Sequence, residues 1–192
     1  MKKLAFVFFA LSIGLMGSAF IKSNKMKVDV AKSKIMWTGK KVTGQHSGTI
    51  ALKSGEVNFD NGRPISGSFE VDMKSMKSTD LQGEYADKLI GHLKSDDFFG
   101  VDKYPTVSFM MKNATATVDP KVFLVTGDLT IKGITQSISF DAKFDQQMAS
   151  AKLDIDRTKF NIKYGSGSFF DNLGDKAIDN MFQLDVQLTF MK

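Results

Sequence analysis

The chain has 192 residues, a formal charge of +5 and no cysteine. Without thiols there is no disulfide, no thiolate nucleophile and no thiolate metal site, so stability must come from the core. The lysines are scattered rather than gathered into a basic stripe, which argues against nucleic acid as a partner.

Lys2 and Lys3 open the chain, an uncharged run follows from Leu4 to Met16, and then come Gly17, Ser18 and Ala19. A positive start, an apolar run of about 7–15 residues and a small-residue exit define a secretory signal peptide. The run falls short of the about 20 residues of a comfortable membrane span. Residues 1–19 are therefore expected to be a signal peptide cleaved after Ala19, and residues 20–192 a single domain, periplasmic or secreted. Loss of Lys2 and Lys3 lowers the formal charge from +5 to +3. No second long apolar run follows, so no integral membrane span is expected after processing.

The remainder reads mainly with period 2, the mark of strands with one apolar and one polar face. Thr49–Lys53 and Glu56–Phe59 are expected to be separate strands parted by a turn at Ser54-Gly55. Asp60-Asn61-Gly62 closes a hairpin into Ile65, Gly67, Phe69, Val71 and Met73, which alternate with polar residues. Asp80 to Lys94 breaks the pattern: Leu81, Tyr85, Leu89 and Leu93 recur at steps of four, predicting a short helix capped by Asp80 and ending at Ser95. Such an insertion in a β domain is usually a lid, plug or binding loop.

Val107, Phe109 and Met111 form the next strand. Asp119-Pro120 turns the chain before Phe123, Val125, Gly127, Leu129 and Ile131. Lys132-Gly133 turns it again into Ile134, Ile138, Phe140, Ala142 and Phe144. Lys163 to Asn180, with Gly165, Gly167, Gly174 and Phe169-Phe170, reads as a long loop. Phe182, Leu184, Val186, Leu188 and Phe190 form the last strand. Eight or nine strands joined by short turns predict an antiparallel barrel or sandwich.

Few residues carry the marks of chemistry. His46 and His92 have no companions at metal spacing, and the default for each is ordinary hydrogen bonding. Gly165-Ser166-Gly167-Ser168 lacks the lysine of a phosphate loop and is expected to be a flexible turn. Asp171, Asp175 and Asp179 lack the spacing of a twelve-residue calcium loop. Arg157 is expected to pair with a carboxylate such as Asp156 or Asp97. The positive signal is apolar. Phe59, Phe69, Phe109, Phe123, Phe140, Phe182 and Phe190 would give a closed barrel an aromatic interior. Filled and hollow small barrels share one sequence pattern, so periodicity leaves both readings open.

Three ordered motifs carry a family resemblance. Gly91-His92-Leu93-Lys94-Ser95-Asp96-Asp97-Phe98-Phe99, continued by Lys103-Tyr104-Pro105-Thr106-Val107-Ser108-Phe109, resembles the central signature of the YceI-like family. Gly127-Asp128-Leu129-Thr130-Ile131-Lys132-Gly133-Ile134-Thr135 resembles its second. Ile155-Asp156-Arg157-Thr158-Lys159-Phe160-Asn161-Ile162 resembles its third. The likeness covers roughly Met26 to Phe190. Departures fall at Ile90-Gly91, where the family often has Arg-Asp, at Lys94 and Lys132, and in a longer, more aromatic Tyr164–Asp179.

The resemblance implies a mainly β fold, an extended lipocalin-like barrel of eight antiparallel strands with a short helical insertion. It also implies an exported protein that holds a polyisoprenoid or similar long-chain amphiphile in the barrel, for transport or storage, with no catalytic residue set and no required cofactor. The expected apolar lining and mouth are Trp37, Phe59, Phe69, Val71, Leu89, Leu93, Phe98, Phe99, Phe109, Leu129, Ile131, Phe140, Phe169, Phe182 and Leu184. His92, Lys94 and Arg157 are candidates for a polar head group. No metal is expected, and homodimerisation is left open. Two other readings are an enzyme using His92 with Asp96 or Asp97, which requires hydrogen-bond reach between them, and an outer-membrane barrel, whose strands would face apolar side chains outward.

Overall fold

The computed structural model describes residues 23–191. The expected signal peptide, residues 1–19, lies outside them. The elements run in the order β1 (Ser23–Lys27), β2 (Lys34–Lys41), β3 (Gly44–Asp60), β4 (Arg63–Ser78), α1 (Gly83–Lys94), β5 (Thr106–Ala116), β6 (Val122–Ile131), β7 (Ile134–Asp145), β8 (Met148–Asp156) and β9 (Ile178–Thr189). Strands β2 to β9 pair in sequence and β9 returns to β2, closing an eight-stranded antiparallel barrel. Closure removes the exposed sheet edges that an open antiparallel sheet must protect.

The hairpins expected from the sequence form. Asn61 and Gly62 both take positive φ, 49° and 80°, between paired Asp60 and Arg63. That conformation matches the right-handed twist of the flanking strands. The turn expected at Ser54-Gly55 does not form. β3 runs through it unbroken, with Ser54 and Gly55 paired to Glu70 and Phe69. A Cβ on Gly55 would lie 2.9 Å from side-chain atoms of both Phe69 and Val28, so the glycine serves close approach rather than reversal. Register shifts between Thr49 and Ala51 and between Leu52 and Ser54 bend the long strand. Its first half pairs with β2, and its far half with β1.

The inner face carries the apolar residues of each strand. On β6 the alternation is exact in burial: Phe123, Val125, Leu129 and Ile131 are buried while Leu124, Asp128 and Thr130 are not. The outer face carries cross-strand ion pairs, Lys53–Glu70 at 3.1 Å, Lys112–Asp128 at 2.6 Å and Lys152–Asp185 at 3.4 Å. Each contributes only about 0.2–1 kcal/mol. Their placement is the inverse of an outer-membrane barrel, which faces lipid with apolar residues. Among the described residues no helix is long and apolar enough to cross a membrane.

One end of the barrel is sealed. Val28 bridges to Phe190, Val28 N donates to Gly55 O at 2.8 Å, and Met191 N donates to Lys27 O at 2.8 Å. These bonds tie the strand ends over Val57, Phe59 and Phe190, which are buried. Helix α1 and the segment after it occupy the other end.

Candidate functional site

Helix α1 has no side-chain N-cap. Its N-cap position is Gln82, not Asp80. The expected Asp80 cap fails because that carboxylate is used elsewhere, accepting from Ser47 N at 3.1 Å and Ser78 Oγ at 2.9 Å and pairing with His46 Nδ1 at 2.8 Å. Burial pushes the Asp80 carboxyl up, but the bonds from His46, Ser47 and Ser78 outweigh it and hold the group below its usual value. The result is a clasp between β3 and the segment that launches α1.

The C-terminus of α1 is fully engaged. Ser95 N donates to Gly91 O and His92 O, Phe99 N to Leu93 O, and Val101 N to Lys94 O. The last carbonyls of a helix lack intrahelical partners, and here the returning chain supplies them. That return delivers Phe98 and Phe99 to the barrel mouth. Lys132, at the β6–β7 turn, fixes the segment by donating to Asp96 O at 2.7 Å and Phe98 O at 2.8 Å.

Between this assembly and the sealed end lies a cavity of about 380 Å³. Its walls come from every strand of the ring. Of the residues expected to line it, Trp37, Phe69, Val71 and Phe109 stand on β2, β4 and β5, and Leu129, Ile131 and Phe140 on β6 and β7. Phe182 and Leu184 come from β9, Leu89 and Leu93 from α1, and Phe98 and Phe99 from the return segment. Trp37 is accommodated by its β3 partner Gly48, where any Cβ would collide with the indole and with the Lys77 carbonyl. The Trp37 Nε1 donor is buried without a partner among the described residues, which costs about 1–3 kcal/mol.

Four expected site residues stand elsewhere or in another role. Phe59 belongs to the sealed end, edge-on to Phe144 and Phe190 at 6.1 and 5.9 Å. Phe169 is half exposed with Lys163 Nζ over its ring at 4.8 Å. Lys94 turns away to donate to Lys74 O at 2.7 Å. Arg157 borders the cavity but is 1% exposed, and its guanidinium is spent on main-chain carbonyls. It donates to Asp179 O at 2.9 Å, Ile162 O at 2.8 Å, Tyr164 O at 2.8 Å and Ile178 O at 3.0 Å. Burial lowers its pKa, partly offset by Asp156 and Asp179, and arginine stays charged. The expected carboxylate partner is replaced by a strut: Asp156 instead caps the 3-10 turn Arg157–Phe160 through Thr158 N.

The loop before β9 is pinned as well. Ser166, expected in a flexible turn, is fully buried, donates to Asn180 Oδ1 at 2.6 Å, and accepts from Ser168 N at 3.2 Å. His92 lines the cavity, but its neighbours are aromatic: Tyr164 at 4.5 Å and Phe98 at 5.7 Å between ring centroids. Asp96 pairs with Lys103 at 2.6 Å rather than with His92.

Sequence reading missed the polar side of the mouth. Lys40, Lys41, His46 and Asp179 all border the cavity. They cluster where the β2–β9 register shifts between Gly39 and Lys41. A bulge puts two consecutive residues on one side, which strict alternation cannot anticipate. Met76 was missed for the same reason: it lines the cavity three residues from Met73, out of phase.

Comparison with known proteins accords with this geometry. The YceI-like domain model matches residues 26–190. A UPF0312 protein of Pseudomonas putida is 35% identical over 98 residues, 51% of this chain and 48% of its own length. A UPF0312 protein of Staphylococcus aureus is 46% identical over 54 residues, 28% of each chain. The matches thus span about half or less of these curated relatives. Among solved structures, Burkholderia cenocepacia BcnA superposes with a TM-score of 0.64 at 25% identity, covering 84% of this chain and 98% of its own. A polyisoprenoid binding domain from Saccharophagus degradans superposes at 0.61 with 15% identity, covering 86% and 97%. With its signature segments placed on one closed barrel around one cavity, the chain belongs to the YceI-like family.

Proposed function

We infer that the protein is an exported binding protein, not an enzyme, that holds a polyisoprenoid or similar long-chain amphiphile in its barrel for transport or storage. The cavity carries this reading. Its walls are mainly aliphatic and aromatic side chains, and its charged groups gather at the mouth. An apolar chain would fill it, each buried methylene contributing about 0.8 kcal/mol. The ligand class is supported by the polyisoprenoid binding domain from Saccharophagus degradans, which has the same fold.

In this reading Lys40, Lys41 and His46 replace Lys94 and Arg157 as contacts for the polar head, and His92 stays at the aromatic rim. Native mass spectrometry of protein purified from an exporting host tests it. A co-purifying lipid, or one-to-one loading of delipidated protein with an isoprenoid alcohol, is expected. A protein that carries no lipid and accepts none would overturn the reading.

A further inference from the structure

The barrel wall is unevenly knit. β7 pairs with β6 along its length, from Val122–Lys143 to Ile131–Ile134, and β8 pairs with β9 from Met148–Thr189 to Asp156–Met181. Between β7 and β8 the ladder holds only four pairs, from Ala142–Ala151 to Asp145–Met148. Beyond them the strands part. Residues 134–141 of β7 and 152–156 of β8 are laddered on one side and not to each other.

The gap is closed at its mouth end and not in its middle. Gln136 shares the inward register of Ile134 and Ile138, and its Nε2 donates across the gap to Lys159 O at 3.3 Å. Phe160 and Ile162 are buried against Ile134 and Ile138. In the middle, Phe140 and Leu153 line the cavity with no ladder partner across the seam, and beside them, near the end of the ladder, the exposed Ser150 lines it too. Ser150 stands in the exposed register of β8 and still borders the cavity, which marks a place where the cavity reaches outside.

The cavity of about 380 Å³ sits near the lower end of ligand pockets, about 300–1,000 Å³. A long chain must therefore leave it somewhere. The sealed end is packed with Phe59, Phe144 and Phe190, and the mouth is bordered by Lys40, Lys41 and Asp179. The seam is the gap in the wall away from the charged mouth, and Phe140 and Leu153 border it.

We propose that the β7–β8 seam is a tail port, through which the distal part of a long apolar chain runs out of the barrel while its head stays at the mouth. The proposal rests on the binding reading above and adds that the bound chain is longer than the cavity. It predicts that the seam matters for long chains and not for short ones.

The test bridges the seam covalently. Continuing the β7–β8 register places Ser139 opposite Asp154, on exposed positions. The chain has no cysteine, so Ser139→Cys with Asp154→Cys can be joined selectively by a short bifunctional thiol reagent. Farnesol and solanesol, a short and a long isoprenoid alcohol, are titrated against bridged and unbridged protein, read by the emission of the single tryptophan, Trp37. Equal farnesol affinity in both forms, with at least a tenfold loss for solanesol in the bridged form alone, is expected. Equal solanesol affinity in both forms overturns the port. So does an equal loss for both alcohols on bridging, or an unbridged protein that takes farnesol and refuses solanesol. If unbridged protein binds neither alcohol, the binding reading itself has failed.

Discussion

The two ends of the barrel are built from the same alternating strands, yet one is solid and the other hollow. At the sealed end Phe59 meets Phe144 and Phe190, and Phe123 meets Phe144 at 5.9 Å, all edge to face, with Phe144 forming the floor of the cavity. At the other end Phe98, Phe99 and Phe182 also pack edge to face, at 5.2 and 6.2 Å, but as a rim around a cavity. The difference comes from what crosses each end. The Val28 bridge to Phe190 draws strand ends together over the sealed end. At the mouth a helix with no fully buried residue lies across the opening, held by the His46–Asp80 clasp and by Lys132. A small barrel is thus filled or hollow according to its closing segments, not its strand pattern.

Substitutions can break this contrast. The largest effect is expected at Arg157, whose replacement by Met leaves four carbonyls without their donor. A loss of at least about 4 kcal/mol is expected, since each of the four orphaned groups costs about 1–3 kcal/mol. At about 2–4 °C per kcal/mol for a chain of this size, the melting midpoint should fall by at least about 8 °C. A head-group contact would instead cost affinity and leave the melt unchanged.

Next comes a matched pair. Phe59→Ala at the sealed end should cost about 3–5 kcal/mol in denaturant unfolding and leave ligand affinity unaltered. Phe109 packs on Phe69 and Phe140 but faces the cavity on its other side, so Phe109→Ala should cost less, about 2 kcal/mol, while weakening chain binding about tenfold. Similar effects at both positions would erase the distinction between the ends.

The smallest effect is at the clasp. The folded pKa of Asp80 is depressed, so its contribution is present above the ordinary carboxylate value of about 4 and fades as pH falls through the lower folded value. Melting midpoints of the wild type should therefore fall more steeply than those of Asp80→Asn as pH drops from about 5 to 2. Parallel curves would mean the carboxylate does not hold the helix.

How much of this was legible depended on whether the physics was local. Alternation placed the inner faces, and Asn61-Gly62 and Lys132-Gly133 placed hairpins, because pleat and turn conformation are properties of neighbouring residues. Leu89 and Leu93 marked the helix face correctly, although Tyr85 on the same stripe is 74% exposed. Ser54-Gly55 misled because a glycine for close approach reads like one for a turn. Arg157 and Asp80 misled because their partners are a loop and a strand far away in sequence. The mouth lysines were hidden by a bulge, and the cavity by the sealing contacts of Val28.

The central claim is that an apolar chain occupies the hollow half and leaves the solid half untouched. Isotope-filtered NMR of methyl-labelled protein with a bound isoprenoid alcohol tests it most directly. The account predicts contacts from the ligand to the methyls of Val71, Leu89, Leu129 and Leu184 and none to Val28 or Val57. Contacts confined to the sealed-end methyls, or to the outer face of the barrel, would contradict it.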